Sequence, residues 1–127
     1  MKRGLRLFIE DILESIKLIE KYIRNISKEN LDNNQKLKDS IVRRLEIIGE
    51  AVKNIPDNFR KKYPDVPWRK IAGLRDIIIH TYFNIDLDIT WDIIKKDLPD
   101  LKEKMLRIKS ELDVEEMERY SKKHKYR

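Results

Sequence analysis

Apolar residues recur along this chain at helical spacing, and five stretches carry the pattern. The first runs Leu5, Phe8, Ile9, Ile12, Ile16, Ile19, Ile23 and Ile26, with charged residues on the other face, and predicts a long amphipathic helix. A polar break follows at Lys28 to Gln35, where Asp32, Asn33 and Asn34 are candidate N-caps. The second stretch, Leu37, Ile41, Leu45, Ile48 and Val52, predicts another helix. Gly49 lies inside it, at a cost of about 1 kcal/mol relative to alanine, so close approach of a neighbouring helix is expected there. Glu46 and Glu50 share a face and read as a solvated or salt-bridged pair. Ile55 to Pro67 holds three prolines and predicts the main loop, with one helical turn at Asp57 to Lys62 and Asp65 as the next cap.

The third stretch, PWRKIAGLRDIIIHTYF from Pro67 to Phe83, is the most apolar part of the chain. Read as one helix, it puts Ile71, Leu74, Ile77, Ile78 and Thr81 on a core face. Arg75, Asp76, Ile79, His80 and Phe83 fall opposite. A helix apolar on both sides is buried on both sides, and Ile79 and Phe83 are therefore expected at a subunit interface. Asp76 and His80 are four apart, where a carboxylate can orient an imidazole. Arg75 and Tyr82 return to nearly one azimuth. Arg75 and His80 stand about 140° apart on a straight helix, so they meet only if the helix tightens or if two copies pool their residues around a dyad. Asn84 to Asp88 ends the helix and offers Asp86 or Asp88 as a cap. A short helix through Ile89, Ile93 and Ile94 and a last long one through Leu98, Leu101, Met105, Ile108 and Leu112 complete the pattern. Trp68 is expected in the core.

Composition narrows the picture. With 127 residues, 3 Gly and 4 Pro, the chain is expected to be a single all-α domain over 1–127, an up-and-down bundle of four or five helices. Zero cysteines exclude disulfides, thiolate metal sites and a thiolate nucleophile. No apolar run reaches the roughly 20 residues that span a bilayer, and the opening residues are too acidic for a signal peptide, so a cytoplasmic protein is expected. A formal charge of +6 and a basic tail at 119–127 suit a polyanionic partner; the tail reads equally as an RNA-contacting arm or a frayed end.

Chemistry is concentrated in the third stretch. One histidine within an apolar helix is usually a core residue, but arginine, aspartate, histidine and tyrosine crowded onto one expected interface helix give an active or binding site equal weight. Clustered histidines, cysteines and a plausibly activated serine are lacking, so metal hydrolysis and acyl transfer are poorly supported. Histidine with arginine suits phosphodiester cleavage without a metal. Imidazole moves protons near neutral pH, guanidinium neutralises charge on the phosphorane-like transition state, and RNA brings its own 2′-OH nucleophile.

LRDIIIHTY resembles the Rx4HxY signature of HepT-like HEPN toxins, the ribonuclease half of type VII-like HEPN/minimal-nucleotidyltransferase toxin–antitoxin pairs. The likeness extends to IIGEAV at Ile47–Val52, VPWRKIAGLRD at Val66–Asp76, HTY at His80–Tyr82 and WDIIKKDLPDL at Trp91–Leu101. The resemblance implies an all-α HEPN-like homodimer with its motifs lining a cleft at the dyad. It implies metal-independent RNA cleavage with no cofactor, Arg75 and His80 being catalytic and Asp76 occupying the polar position after the arginine. It also implies neutralisation by a nucleotidyltransferase antitoxin that transfers AMP to Tyr82. The alternative class is a non-catalytic HEPN binding partner of a nucleotidyltransferase, and a third is a dimeric structural bundle.

Overall fold

The computed structural model describes the backbone of residues 2–81 and 84–124, and the side chains of residues 4–78 and 86–124. Helix α1 spans Lys2–Tyr22 and ends where Asn25 adopts φ 61°, a left-handed stop that asparagine tolerates. Its apolar stripe becomes the centre of the core: Ile9, Ile12, Ile16 and Ile19 are fully buried. Each such side chain contributes about 1.5–3 kcal/mol when removed from water.

The polar break contains a short helix, α2 (Lys28–Asp32), which periodicity had not revealed; the Ser27 hydroxyl caps it by accepting from the Asn30 N–H. Helix α3 (Gln35–Lys53) starts at Asn34, one of the expected caps, whose side chain accepts from the Leu37 N–H. Ile41, Leu45, Ile48 and Val52 bury its inner face against α1. The helical turn expected in the loop is α4 (Asp57–Arg60).

The third stretch departs from the single helix expected over Pro67 to Phe83. It forms α5 (Trp68–Ala72), breaks at Gly73, resumes as α6 (Leu74–Ile78) and then leaves the helix for strand β1 (Ile79–Thr81). β1 pairs antiparallel with β2 (Asn84–Ile85), Ile79 opposite Ile85 and Thr81 opposite Asn84, with an irregularity between the two pairs. The physical reason lies in the residues. Gly73 ends α5, its N–H donating to the Arg69 carbonyl at 3.2 Å. Ile77 to Phe83 is otherwise a run of β-branched and aromatic residues, which lose rotamer freedom in a helix and fit a strand.

Asp65 does not cap this segment. Pro67 holds the N-cap position without a side-chain bond. Asp65 instead reaches across to the last helix, where its carboxylate accepts from the Arg107 guanidinium at 2.9 Å and its carbonyl from Lys104 Nζ at 2.8 Å. The hydrogen bond to Arg107 holds the Asp65 carboxyl below its ordinary value. A depressed carboxylate steadies the fold above its ordinary range, and that contribution is lost as pH falls through the lowered value. Tyr63 anchors the same loop: its O–H donates to Glu111 at 2.6 Å, and burial together with that bond pushes the phenol to about 12.

Asp86 caps α7 (Leu87–Asp92) by accepting from the Ile89 N–H, as one of the two candidates expected. The short and last helices are not separate. A π-helical stretch, Ile93–Asp97, joins α7 to α8 (Leu98–His124) with helical backbone throughout. Pro99 has no N–H to offer the Lys95 carbonyl, which accounts for local widening of the helix there. Met105 and Ile108 complete the core, while Lys102–Glu20 and Arg6–Asp113 tie α8 to α1. Residues 119–124 of the basic tail extend α8, with the Tyr120 and His124 rings stacked 4.0 Å apart. The architecture is thus the expected all-α HEPN-like bundle, with the short antiparallel pair β1–β2 set into it. Among the described residues no helix is long and apolar enough to cross a membrane.

Candidate active site

Gly49 determines how closely the third stretch approaches α3. A Cβ placed on it would lie 3.1 Å from the Ala72 carbonyl oxygen and 3.4 Å from that of Ile71. The last turn of α5 therefore rests on the backbone of α3, as the glycine had led us to expect. Arg75 follows three residues after Ala72, on α6, with Leu74 and Ile78 turned into the core. Packing on both sides of Arg75 thus fixes its backbone against α3 while its side chain stays 59% exposed.

The guanidinium crosses to α3, where Arg75 Nε forms an ion pair with the Glu46 carboxylate at 3.1 Å. No other described residue pairs with it. Both groups line a cleft of about 400 Å³ formed by α1, α3, α5 and α6. Phe8 and Asp11 contribute from α1, Arg43, Glu50 and Lys53 from α3, and Ala72 and Asp76 from the opposite wall. Charge in the cleft is mixed, with cations at Arg43, Lys53 and Arg75 interleaved with carboxylates. Glu50 pairs with Lys53 at 3.7 Å rather than with Glu46, so the two glutamates form a salt-bridged face as expected.

The other candidates fare differently. Asp76 is exposed on α6 and lines the cleft beside Arg75. Its expected pairing with His80 presupposed four residues of continuous helix, and the helix stops at Ile78. His80 belongs to β1, and its side chain lies outside the described residues. The shared azimuth of Arg75 and Tyr82 presupposed the same continuous helix, and it concerns a residue outside the described ones. Tyr82 and Phe83 lie outside the described residues, as does the side chain of Ile79, so the expected subunit contact through Ile79 and Phe83 lies there too. Trp68 is in the core, 8% exposed, with Nε1 donating to the carbonyls of Arg60 and Tyr63. Glu46 and Arg43 are cleft residues that sequence reasoning had not assigned to the site. The signal for Glu46 was position: it lies three residues before Gly49, about 60° away on α3, next to the face that the glycine opens to α5. Among the described residues no group of three or more His, Cys, Asp or Glu side chains is close enough to hold a metal ion.

Comparison with known proteins agrees with the resemblance carried by the LRDIIIHTY stretch. The profile of the family described as ribonuclease HepT-like matches residues 12–108. A protein of Thermococcus cleftensis named a probable ribonuclease HepT is 43% identical over 109 residues, covering 86% of this chain and 99% of that one. A Methanocaldococcus jannaschii protein whose name joins gamma-glutamylcyclotransferase to a candidate RNase is 44% identical over 121 residues. That match covers 95% of this chain but only 54% of the longer relative. No solved structure matches the chain significantly. With three-quarters of its length matched by the family profile and near-complete coverage of a relative, the chain belongs to the HepT-like ribonuclease family.

Proposed function

We propose that this protein is a metal-independent endoribonuclease in which Arg75 and His80 carry the chemistry, at a cleft completed by a second copy of the chain. The observation that carries the reading is the placement of Arg75, exposed at the cleft with its two terminal amino groups unengaged by any described residue. A guanidinium in that state can take two phosphate oxygens at once. Membership of the ribonuclease family makes RNA the substrate of choice. The end of α6 at Ile78 also removes the straight-helix geometry that would hold Arg75 and His80 apart.

The reaction follows from these groups. Neutral imidazole at His80 takes the proton from a 2′-OH as that oxygen bonds to the adjacent phosphorus. Arg75 neutralises the charge gathering on the non-bridging oxygens. The bond from phosphorus to the 5′ oxygen breaks, and a protonated imidazole returns a proton to that oxygen. The products are a 2′,3′-cyclic phosphate and a 5′-OH, with no water or metal consumed. Purified protein incubated with RNA in excess chelator is expected to cleave it. Activity that disappears with the chelator would contradict the metal-free route.

We further infer that the protein is the toxin of a pair whose antitoxin, a minimal nucleotidyltransferase, silences it by transferring AMP to Tyr82. Tyr82 is the residue that matches the motif tyrosine, two positions after His80. An added AMP phosphate competes for the Arg75 guanidinium that the scissile phosphate needs. Labelling with ATP by the cognate transferase is expected in the unmodified chain and lost in Tyr82→Phe. Undiminished labelling of that variant would exclude Tyr82 as the acceptor.

A further inference from the structure

The geometry of the Glu46–Arg75 ion pair bears on how the arginine can act. The Glu46 carboxylate engages Nε, the inner nitrogen of the guanidinium, at 3.1 Å. Among the described residues nothing else engages the two terminal amino groups, which are placed to take another ligand. The pair is also poorly placed to matter for stability: the two side chains are 59% and 32% exposed, and ion pairs that open to water contribute about 0–1 kcal/mol. What the pair does have is a rigid base. Glu46 stands between Leu45 and Ile48, fully buried residues of α3, and one turn before Gly49, where α5 rests on the helix.

We propose that Glu46 is a positioning residue for Arg75, holding the guanidinium by Nε so that its terminal amino groups face the scissile phosphate. This rests on the reading of Arg75 as catalytic. Arginine has a long side chain with much rotamer freedom, and an exposed one samples many positions. A carboxylate fixed on a packed helix removes most of that freedom before RNA arrives. The same carboxylate brings negative charge close to the substrate's phosphates, so it opposes RNA binding while it favours turnover. A merely structural ion pair would have neither effect.

The test is a set of five proteins, namely the unmodified chain, Glu46→Gln, Glu46→Asp, Arg75→Ala and the Glu46→Gln/Arg75→Ala double variant, assayed for kcat and KM on one defined RNA, with thermal melts alongside. Glu46→Gln keeps the shape and removes the charge. It is expected to lower kcat on the order of 10- to 100-fold, the scale of a misplaced reacting group. KM should stay level or fall, and the melting temperature should not move. Glu46→Asp, one methylene shorter, should keep part of the rate. The double variant should be no slower than Arg75→Ala, because Glu46 acts only through Arg75. An unchanged kcat in Glu46→Gln beside an inactive Arg75→Ala overturns this inference alone, and so does an additive loss in the double variant. A fully active Arg75→Ala overturns the catalytic reading itself.

Discussion

Arg75→Ala and His80→Ala are each expected to lower RNA cleavage on the order of 100-fold or more, with the Arg75 variant folded as the parent is. For Arg75 the argument is direct. The side chain is 59% exposed and, among the described residues, pairs with Glu46 alone, so its removal empties no part of the core. The helix that carries it is held by Leu74 and Ile78, both buried, and these remain. The loss should therefore appear in turnover and not in the melting curve. Arg75→Lys is expected to recover little, because an ammonium lacks the fork that takes two phosphate oxygens while Nε is engaged elsewhere. For His80 the expectation rests on proton transfer. No other histidine lies within the matched family region, the second being His124 near the end of α8. Steady-state cleavage of a labelled RNA by the three variants checks this. Parent-like rates in Arg75→Ala or His80→Ala would remove that residue from the mechanism.

The largest effect on stability is expected at Trp68. Its ring is 8% exposed at the start of α5, and its Nε1 donates to two carbonyls, those of Arg60 and Tyr63, at 3.1 and 3.0 Å. Trp68→Ala is expected to cost about 3–5 kcal/mol, mostly from the cavity left beneath the loop. Trp68→Phe keeps most of the ring and removes the donor. Both carbonyls also accept backbone N–H groups, from Tyr63 and Val66, so this change should cost only about 1 kcal/mol. Chemical denaturation of the two variants separates the contributions of packing and hydrogen bonding. Equal losses in Trp68→Phe and Trp68→Ala would mean that the indole N–H, not the ring, holds α5 in place. Trp68→Ala should also impair cleavage, since α5 leads through Gly73 directly to Arg75.

The long helices were legible because burial imposes its period on the sequence. Ile9, Ile12, Ile16 and Ile19 of α1 and Ile41, Leu45 and Ile48 of α3 were read at helical spacing and are fully buried. The caps at Asn34 and Asp86 and the close approach at Gly49 were legible for the same reason: each residue type answers one local geometric need. The third stretch was misread because its apolar residues satisfy two periods at once. Ile77, Ile78 and Ile79 continue a helical stripe, yet three consecutive β-branched residues also begin a strand, and Gly73 marks a helix end within the run. Asp65 had the position of a cap, but Arg107 and Lys104 of α8 claim it, and nothing local announces a partner about forty residues away. At the site, the motif residues could be named from the chain alone. Glu46 could not, since its partner is decided by how α5 and α6 lie across α3.

The nature of the cleaved ends tests the central claim most directly. RNA digested in excess chelator should carry 2′,3′-cyclic phosphates and 5′-hydroxyls, and a strand with a single 2′-deoxy residue at the cleaved position should resist cutting there. Those results follow only if the substrate's own 2′ oxygen is the nucleophile and the protein supplies proton transfer and charge. Products bearing 5′-phosphates, or cleavage that continues at the 2′-deoxy position, would contradict the account.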